Sequence, residues 1–306
     1  MKNSLLTFAI VLCSLTVSAQ QEAMYTHYAF NTLTINPGYA GSREALTLTV
    51  LHRSQWVGFK GAPHTQTFSL HTPLRDNEMG IGFTAMNDKI GPVNSSSLYA
   101  DYAYKIPVYN GLLSAGIKGG LDIMQASLVG LISTDQNDNA IANNVRNEVL
   151  PNFGLGAYYS TDWYYVGLSS PRLIQNKINL INMSTSQAIE KRHYYLIAGA
   201  IFRINETMQI KPMALAKVTA AAAAEVDLTG ILVLDERFEF GAMYRTGDAF
   251  GVLFGINFDN NLRAGYSFDW SVGVQTGKNN AGSHELMLRY DFIKNVRRKI
   301  VSPRHF

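Results

Sequence analysis

The stretch Glu285-Leu286-Met287-Leu288-Arg289-Tyr290-Asp291-Phe292 splits into two faces when alternate residues are grouped. Leu286, Leu288, Tyr290 and Phe292 form an apolar face, while Glu285, Met287, Arg289 and Asp291 take the other side, three of them charged. A period of two is that of a β-strand whose sides meet different surroundings. The segment before it repeats the pattern, with Leu262, Ala264, Tyr266, Phe268 and Trp270 set against Arg263, Gly265, Ser267 and Asp269. Phe238, Phe240, Ala242 and Tyr244 oppose Arg237, Glu239, Gly241 and Arg245, and Leu113, Ala115, Ile117, Leu121 and Ile123 oppose Ser114, Lys118 and Asp122.

Extending this reading along the chain predicts strands near 44–53, 64–73, 79–87, 96–106, 112–124, 151–160, 162–169, 193–204, 207–217, 223–234, 236–246, 249–258, 262–271 and 283–292. Fourteen is an even number, as an antiparallel outer-membrane barrel requires. The connections alternate in length. Leu74 to Glu78, Pro107 to Gly111, Thr161, Asn205-Glu206, Asp235 and Asp259 to Asn261 are short and rich in turn residues. Ser54 to Pro63, Asp88 to Ser95, Gln125 to Leu150, Ser170 to Arg192 and Val272 to Gly282 are longer, although Val218 to Ala222 and Thr246 to Asp248 are not. This asymmetry is that of a transmembrane β-barrel with tight periplasmic turns and longer external loops over residues 44–292.

Composition agrees. Of 306 residues 47% are hydrophobic and only 16% charged, so the chain is neither disordered nor dressed for a soluble surface. Sixteen Tyr, fifteen Phe and 25 Gly favour strands and tight turns. After the first residues no run of about 18 apolar residues occurs, so a spanning helix is not expected. A net charge of +3 with no basic stripe before the last residues argues against nucleic acid as a partner. Lys2, the apolar run Leu5 to Val17 and the small residues up to Ala19 read as an export signal over residues 1–19, and the chain's one Cys13 lies inside it. Disulfide and thiol chemistry are therefore not expected in the exported protein.

The charged side of the strands includes Arg53, Asp101, Lys105, Lys118, Asp122, Lys211, Glu225, Asp227, Arg237, Glu239, Arg245, Arg263, Asp269, Glu285, Arg289 and Asp291. A lipid-facing charge at the midplane costs roughly 2–4 kcal/mol, so these residues should face a wet lumen and pair there. Trp163, Tyr164, Tyr165, Tyr194, Tyr195, Trp270 and Phe292 suit interfacial girdles. His52 and His64 can meet at a loop end, but two ligands make a poor metal site, and neither metal nor cofactor is expected. Gly116, Gly119 and Gly120 read as small residues easing strand curvature rather than as a phosphate loop. Ser283 and His284 are neighbours on a strand and point apart, so no catalytic dyad is expected and no enzymatic activity is inferred.

Several uncommon words occur in series: Asn36-Pro37-Gly38-Tyr39-Ala40-Gly41-Ser42, Arg53-Ser54-Gln55-Trp56-Val57-Gly58-Phe59 with Gly61-Ala62-Pro63, and Asn87-Asp88-Lys89-Ile90-Gly91-Pro92. With the closing Ser283 to Phe292 they resemble the PorP/SprF family of type IX secretion system membrane proteins over nearly the whole chain. The resemblance implies an outer-membrane barrel that helps secrete or anchor a surface adhesin or other cargo bearing a C-terminal sorting domain. Outer-membrane lipid and periplasmic ring components are the other implied partners. On that reading, Trp56, Phe59 and Pro63 in one external loop and Asp88, Lys89, Ile90 and Pro92 in the next are the residues expected to touch a protein partner. The alternative is an outer-membrane channel for small or hydrophobic solutes, with residues 20–43 entering the lumen as a plug. Residues 293–306 are expected to form a basic periplasmic tail.

Overall fold

The computed structural model describes residues 24–75, 77–127, 145–178, 188–220, 222–272 and 280–293. The expected export signal, residues 20–23, Asp76, most of the loop after Gln125 and the tail beyond residue 293 lie outside them.

Fourteen strands close into one antiparallel barrel: β1 (Leu46–Ser54), β2 (His64–Leu74), β3 (Met79–Ile90), β4 (Val93–Val108), β5 (Gly111–Ala126), β6 (Val145–Ser160), β7 (Tyr164–Ser170), β8 (His193–Ala200), β9 (Met208–Thr219), β10 (Ala222–Leu234), β11 (Phe238–Arg245), β12 (Ala249–Asn257), β13 (Leu262–Ser271) and β14 (Ser283–Phe292). Each strand pairs with its sequence neighbour, and β14 returns to β1 with Leu46 opposite Phe292 and Ser54 opposite His284. A closed sheet leaves no backbone edge in lipid, where an unpaired amide would cost several kcal/mol. A two-residue extension, Phe202–Arg203, pairs with β9, and Lys177–Ile178 pairs with Ala188–Ile189 outside the barrel.

The alternation resolves as read. Leu286, Leu288 and Phe292 are exposed on the outer face, and Glu285, Met287, Arg289 and Asp291 are buried inside. Phe68, Ile81, Phe83, Ile117, Leu168, Leu196, Phe240 and Phe254 continue the outer apolar belt around the barrel. Leu288 lies mid-strand in this belt, whereas Phe292 ends it. Leu288→Arg is expected to cost ~2–4 kcal/mol and to abolish the fast-migrating folded band on unheated gels, while Phe292→Arg costs ~0–1 kcal/mol and leaves it.

Several expectations are corrected. Asp88 to Ser95 is not a loop, because β3 and β4 stay paired up to Ile90 opposite Val93 and only Gly91-Pro92 turns. The signal vanished because the strands leave the membrane there: outward Asn87 donates to Asn94 Oδ1 and Ser96 Oγ at 3.0 Å, so both faces are polar and alternation no longer marks them. Arg237 lies exposed in the turn before β11 rather than on the inner face. The strand expected over 193–204 breaks at Ile201 and resumes as Phe202–Arg203, and Trp163 lies in the bend before β7 rather than within the strand. Gly116, finally, also leaves room for close packing, since a Cβ there would strike the Gly38 amide.

Candidate functional site

The barrel interior is occupied by the chain's own residues 24–45. Short turns at Tyr28–Phe30, Thr32–Ile35 and Pro37–Tyr39 fold this segment into a compact insert, with Tyr28, Leu33, Tyr39 and Ala40 buried. Its first end is held by an ion network. Arg53 on β1 donates to Asp269 Oδ2 on β13 at 2.7 Å and to Glu285 Oε2 on β14 at 3.0 Å. Thr26 donates its hydroxyl to Asp269 at 2.6 Å and its amide to Glu285 at 3.0 Å, and the His27 amide reaches Glu285 at 2.7 Å. Three strands and the insert thus share two carboxylates and one guanidinium, each buried. A buried charge is tolerable only when paired and hydrogen-bonded, and the insert supplies part of that pairing.

Attachments continue around the wall. Tyr25 shares a hydrogen bond with Thr67 of β2 at 2.8 Å, Tyr28 donates to Thr229 of β10 at 3.2 Å, and Arg245 of β11, fixed by Asp227 at 2.8 Å, reaches the Tyr25 carbonyl at 3.4 Å. Burial pushes the Tyr25 and Tyr28 phenols above their ordinary range, so both act as neutral hydrogen-bonding groups. Lys118 of β5, paired with Asp101 at 3.2 Å, donates to the Leu33 carbonyl at 3.0 Å. Lys105 of β4 donates to the Gly41 carbonyl, and Arg43 forks onto Asp291 at 3.2 and 2.7 Å. The guanidinium of Arg263, paired with Glu239, lies 3.6 Å from the centre of the Phe30 ring.

Asn36-Pro37-Gly38-Tyr39 is the tightest contact. Asn36 donates to the Ala157 carbonyl of β6 at 3.0 Å and accepts from the Gly38 amide at 2.9 Å, while Tyr39 meets Tyr158 edge-on at 5.4 Å. The turn fits because the wall is glycine beneath it: a Cβ at Gly116 would strike the Gly38 amide, and one at Gly156 would strike Asn36 Oδ1. A cavity of about 60 Å³ between Tyr25, Ile35, Tyr99, Lys118 and Arg172 has room for only a few waters. The lumen expected to be wet is therefore packed with protein.

The external rim carries the residues expected to meet a partner, and the structure sorts them. The Trp56–Gly61 loop is tied on both sides by main-chain bonds: Val57 exchanges bonds with Gly282 and Ala281 at 2.9 and 2.8 Å, and Gly91 donates to the Gly61 carbonyl at 2.9 Å. Trp56 has a positive φ of 47° and is half-buried, and Pro63 is buried, its carbonyl accepting from Gln55 at 3.0 Å. Phe59 at 54%, Ile90 at 44% and Val57 at 36% exposure are the apolar side chains presented outward. Pro92 is exposed at the turn beside them. Asp88 points inward and accepts from Thr65 at 2.6 Å, and Lys89 faces away from the lumen, so these two do not join the ledge. Val57 was missed by sequence reasoning because an isolated valine between Trp56 and Gly58 carries no pattern. His52 Nε2 and His64 Nδ1 both lie 3.2 Å from Ser54 Oγ, and no group of three metal-ligating side chains occurs among the described residues.

A closed fourteen-strand barrel with a lipid-facing apolar belt, charges turned inward and its own chain packed through the lumen is a transmembrane barrel of the outer-membrane type. The model of the type IX secretion system membrane protein family PorP/SprF matches residues 17–290, and the chain belongs to that family. Among solved structures it is similar to Omp33 of Acinetobacter baumannii at 10% identity, covering 82% of this chain and 100% of that one with a TM-score of 0.47. It is also similar to the KdgM porin, at 12% identity over 81% of this chain and 99% of that one, TM-score 0.39. The NanC porin follows at 10% identity over 82% and 100%, TM-score 0.40. Likeness at this level says nothing of what the chain transports or binds. A search of curated proteins finds no match.

Proposed function

We propose that this barrel is a closed outer-membrane platform of the type IX machinery, which retains secreted cargo or an adhesin at its external rim and takes no catalytic part. The observation carrying this reading is the occupied lumen: residues 24–45 are bonded to strands on opposite walls, from Thr67 of β2 to Thr229 of β10. Solute conduction, the competing reading, would need that insert to leave and give up its hydrogen bonds to the wall, among them those of Thr26, His27, Leu33 and Asn36.

Retention by the rim rests on the tethered ledge of Val57, Phe59 and Ile90. Apolar side chains held on a bonded loop lose little freedom on binding, which makes them economical anchors for a C-terminal sorting domain. Periplasmic ring components would meet the opposite end, where the short turns lie. Val57→Ser combined with Phe59→Ser is expected to weaken cargo retention about thirtyfold, the equivalent of about 2 kcal/mol, without lowering barrel abundance. The measurement is cargo on cells against cargo in the medium. Wild-type retention by the double variant would remove the ledge from the mechanism.

A further inference from the structure

The outward side of the barrel holds an unassigned cluster. Among the described residues of the fourteen strands, the basic side chains facing away from the lumen are His52, His64, His284 and Lys89, and all four fall on the adjoining strands β14, β1, β2 and β3. Register sets them side by side: His284 faces Ser54, Ser54 faces His64, and His64 faces Lys89, with His52 one row nearer the membrane. Their orientation follows from their neighbours, since Ser283, Glu285, Leu51, Arg53 and Thr65 are all buried within.

Two features fix the level of this patch. Tyr266 shares a hydrogen bond with His284 Nδ1 at 2.8 Å, Phe268 meets the same imidazole at 4.9 Å, and Trp270 stacks on Phe250 at 5.0 Å, which makes an aromatic girdle beside it. On the other flank the outward face turns polar at Asn87, Asn94 and Ser96. The patch thus sits at the headgroup level on the loop side of the barrel. No carboxylate faces outward on these strands among the described residues, because Asp88 and Glu285 point into the lumen. One ammonium, three imidazoles and the Asn87 and Gln66 amides are all donors or able to donate, and none is neutralised by an acid on its own face.

We propose that this patch binds the phosphate of an outer-leaflet lipid headgroup. The site lies on the barrel's outer wall and is independent of cargo retention at the rim. A lipid is the occupant because the patch opens sideways at headgroup depth, where a lipid phosphate is held next to it by its own acyl chains.

The test uses the full-length barrel in phosphatidylcholine nanodiscs doped with lipid A or with the same lipid dephosphorylated, and counts retained lipid by native mass spectrometry. Phosphorylated lipid is expected to be favoured at least about fivefold, the worth of one cation beside a phosphate. Lys89→Gln alone should reduce the preference, and combining it with His52→Gln, His64→Gln and His284→Gln should bring it to parity. Lys89→Arg should preserve it, and unheated gel mobility checks that each variant is folded. Equal retention of the two lipids by the unaltered barrel, or an undiminished preference in the folded variants, overturns the proposal. Displacement by excess inorganic phosphate would assign the patch to a soluble anion and overturn it as well.

Discussion

Replacing Gly116 and Gly156 together by valine is expected to turn an electrically silent barrel into a conducting one. The Asn36 to Tyr39 turn rests on these two bare positions, and the clashes that a Cβ would make are with a backbone amide and with an amide oxygen already committed to Gly38. Neither partner can step aside without leaving the wall. Overpacking costs about 1–3 kcal/mol at each site. That is enough to displace an insert whose nearby fixings are the Asn36 and Lys118 hydrogen bonds, while the strand ladder itself is untouched. Planar-bilayer recordings should show stable open events for the double variant and none for the unaltered protein. Silence from a variant that still shows heat-modifiable mobility would mean that the insert does not close the lumen.

Arg53→Met is expected to cost the barrel about 3–5 kcal/mol, the loss seen when one member of a buried ion network is removed and its partners are stranded. Asp269 and Glu285 would face each other across the insert with only Thr26 and His27 as donors. Glu285→Gln should cost less, because Asp269 still neutralises Arg53 and the amide oxygen can still accept from the insert. Urea titration of the folded gel band measures both. Equal loss in the two variants would show that the network acts through packing rather than charge.

The alternation in Glu285 to Phe292 and Leu262 to Trp270 determined the barrel outright, because period two is a local property and lipid on one side admits one outcome for charge. Strand number, the short turns and the wall charges other than Arg237 were legible for the same reason, whereas the connection at Asp88 to Ser95 was not. The Asn36 to Ser42 word could be recognised, but its purpose could not be read. It packs against Gly116 and Gly156, which are distant in sequence and unmarked by any period. Likewise Asp88 to Ser95 looked like a loop, because a strand with water on both sides loses the contrast by which strands are found. The ledge at Val57, Phe59 and Ile90 depends on main-chain bonds to Ala281, Gly282 and Gly91. Closure decided these features: joining β14 to β1 brought Glu285 to Arg53, Thr26 and His27, residues more than two hundred positions apart. Contacts set by ring closure depend on register around the whole sheet, and no local stretch of sequence encodes that.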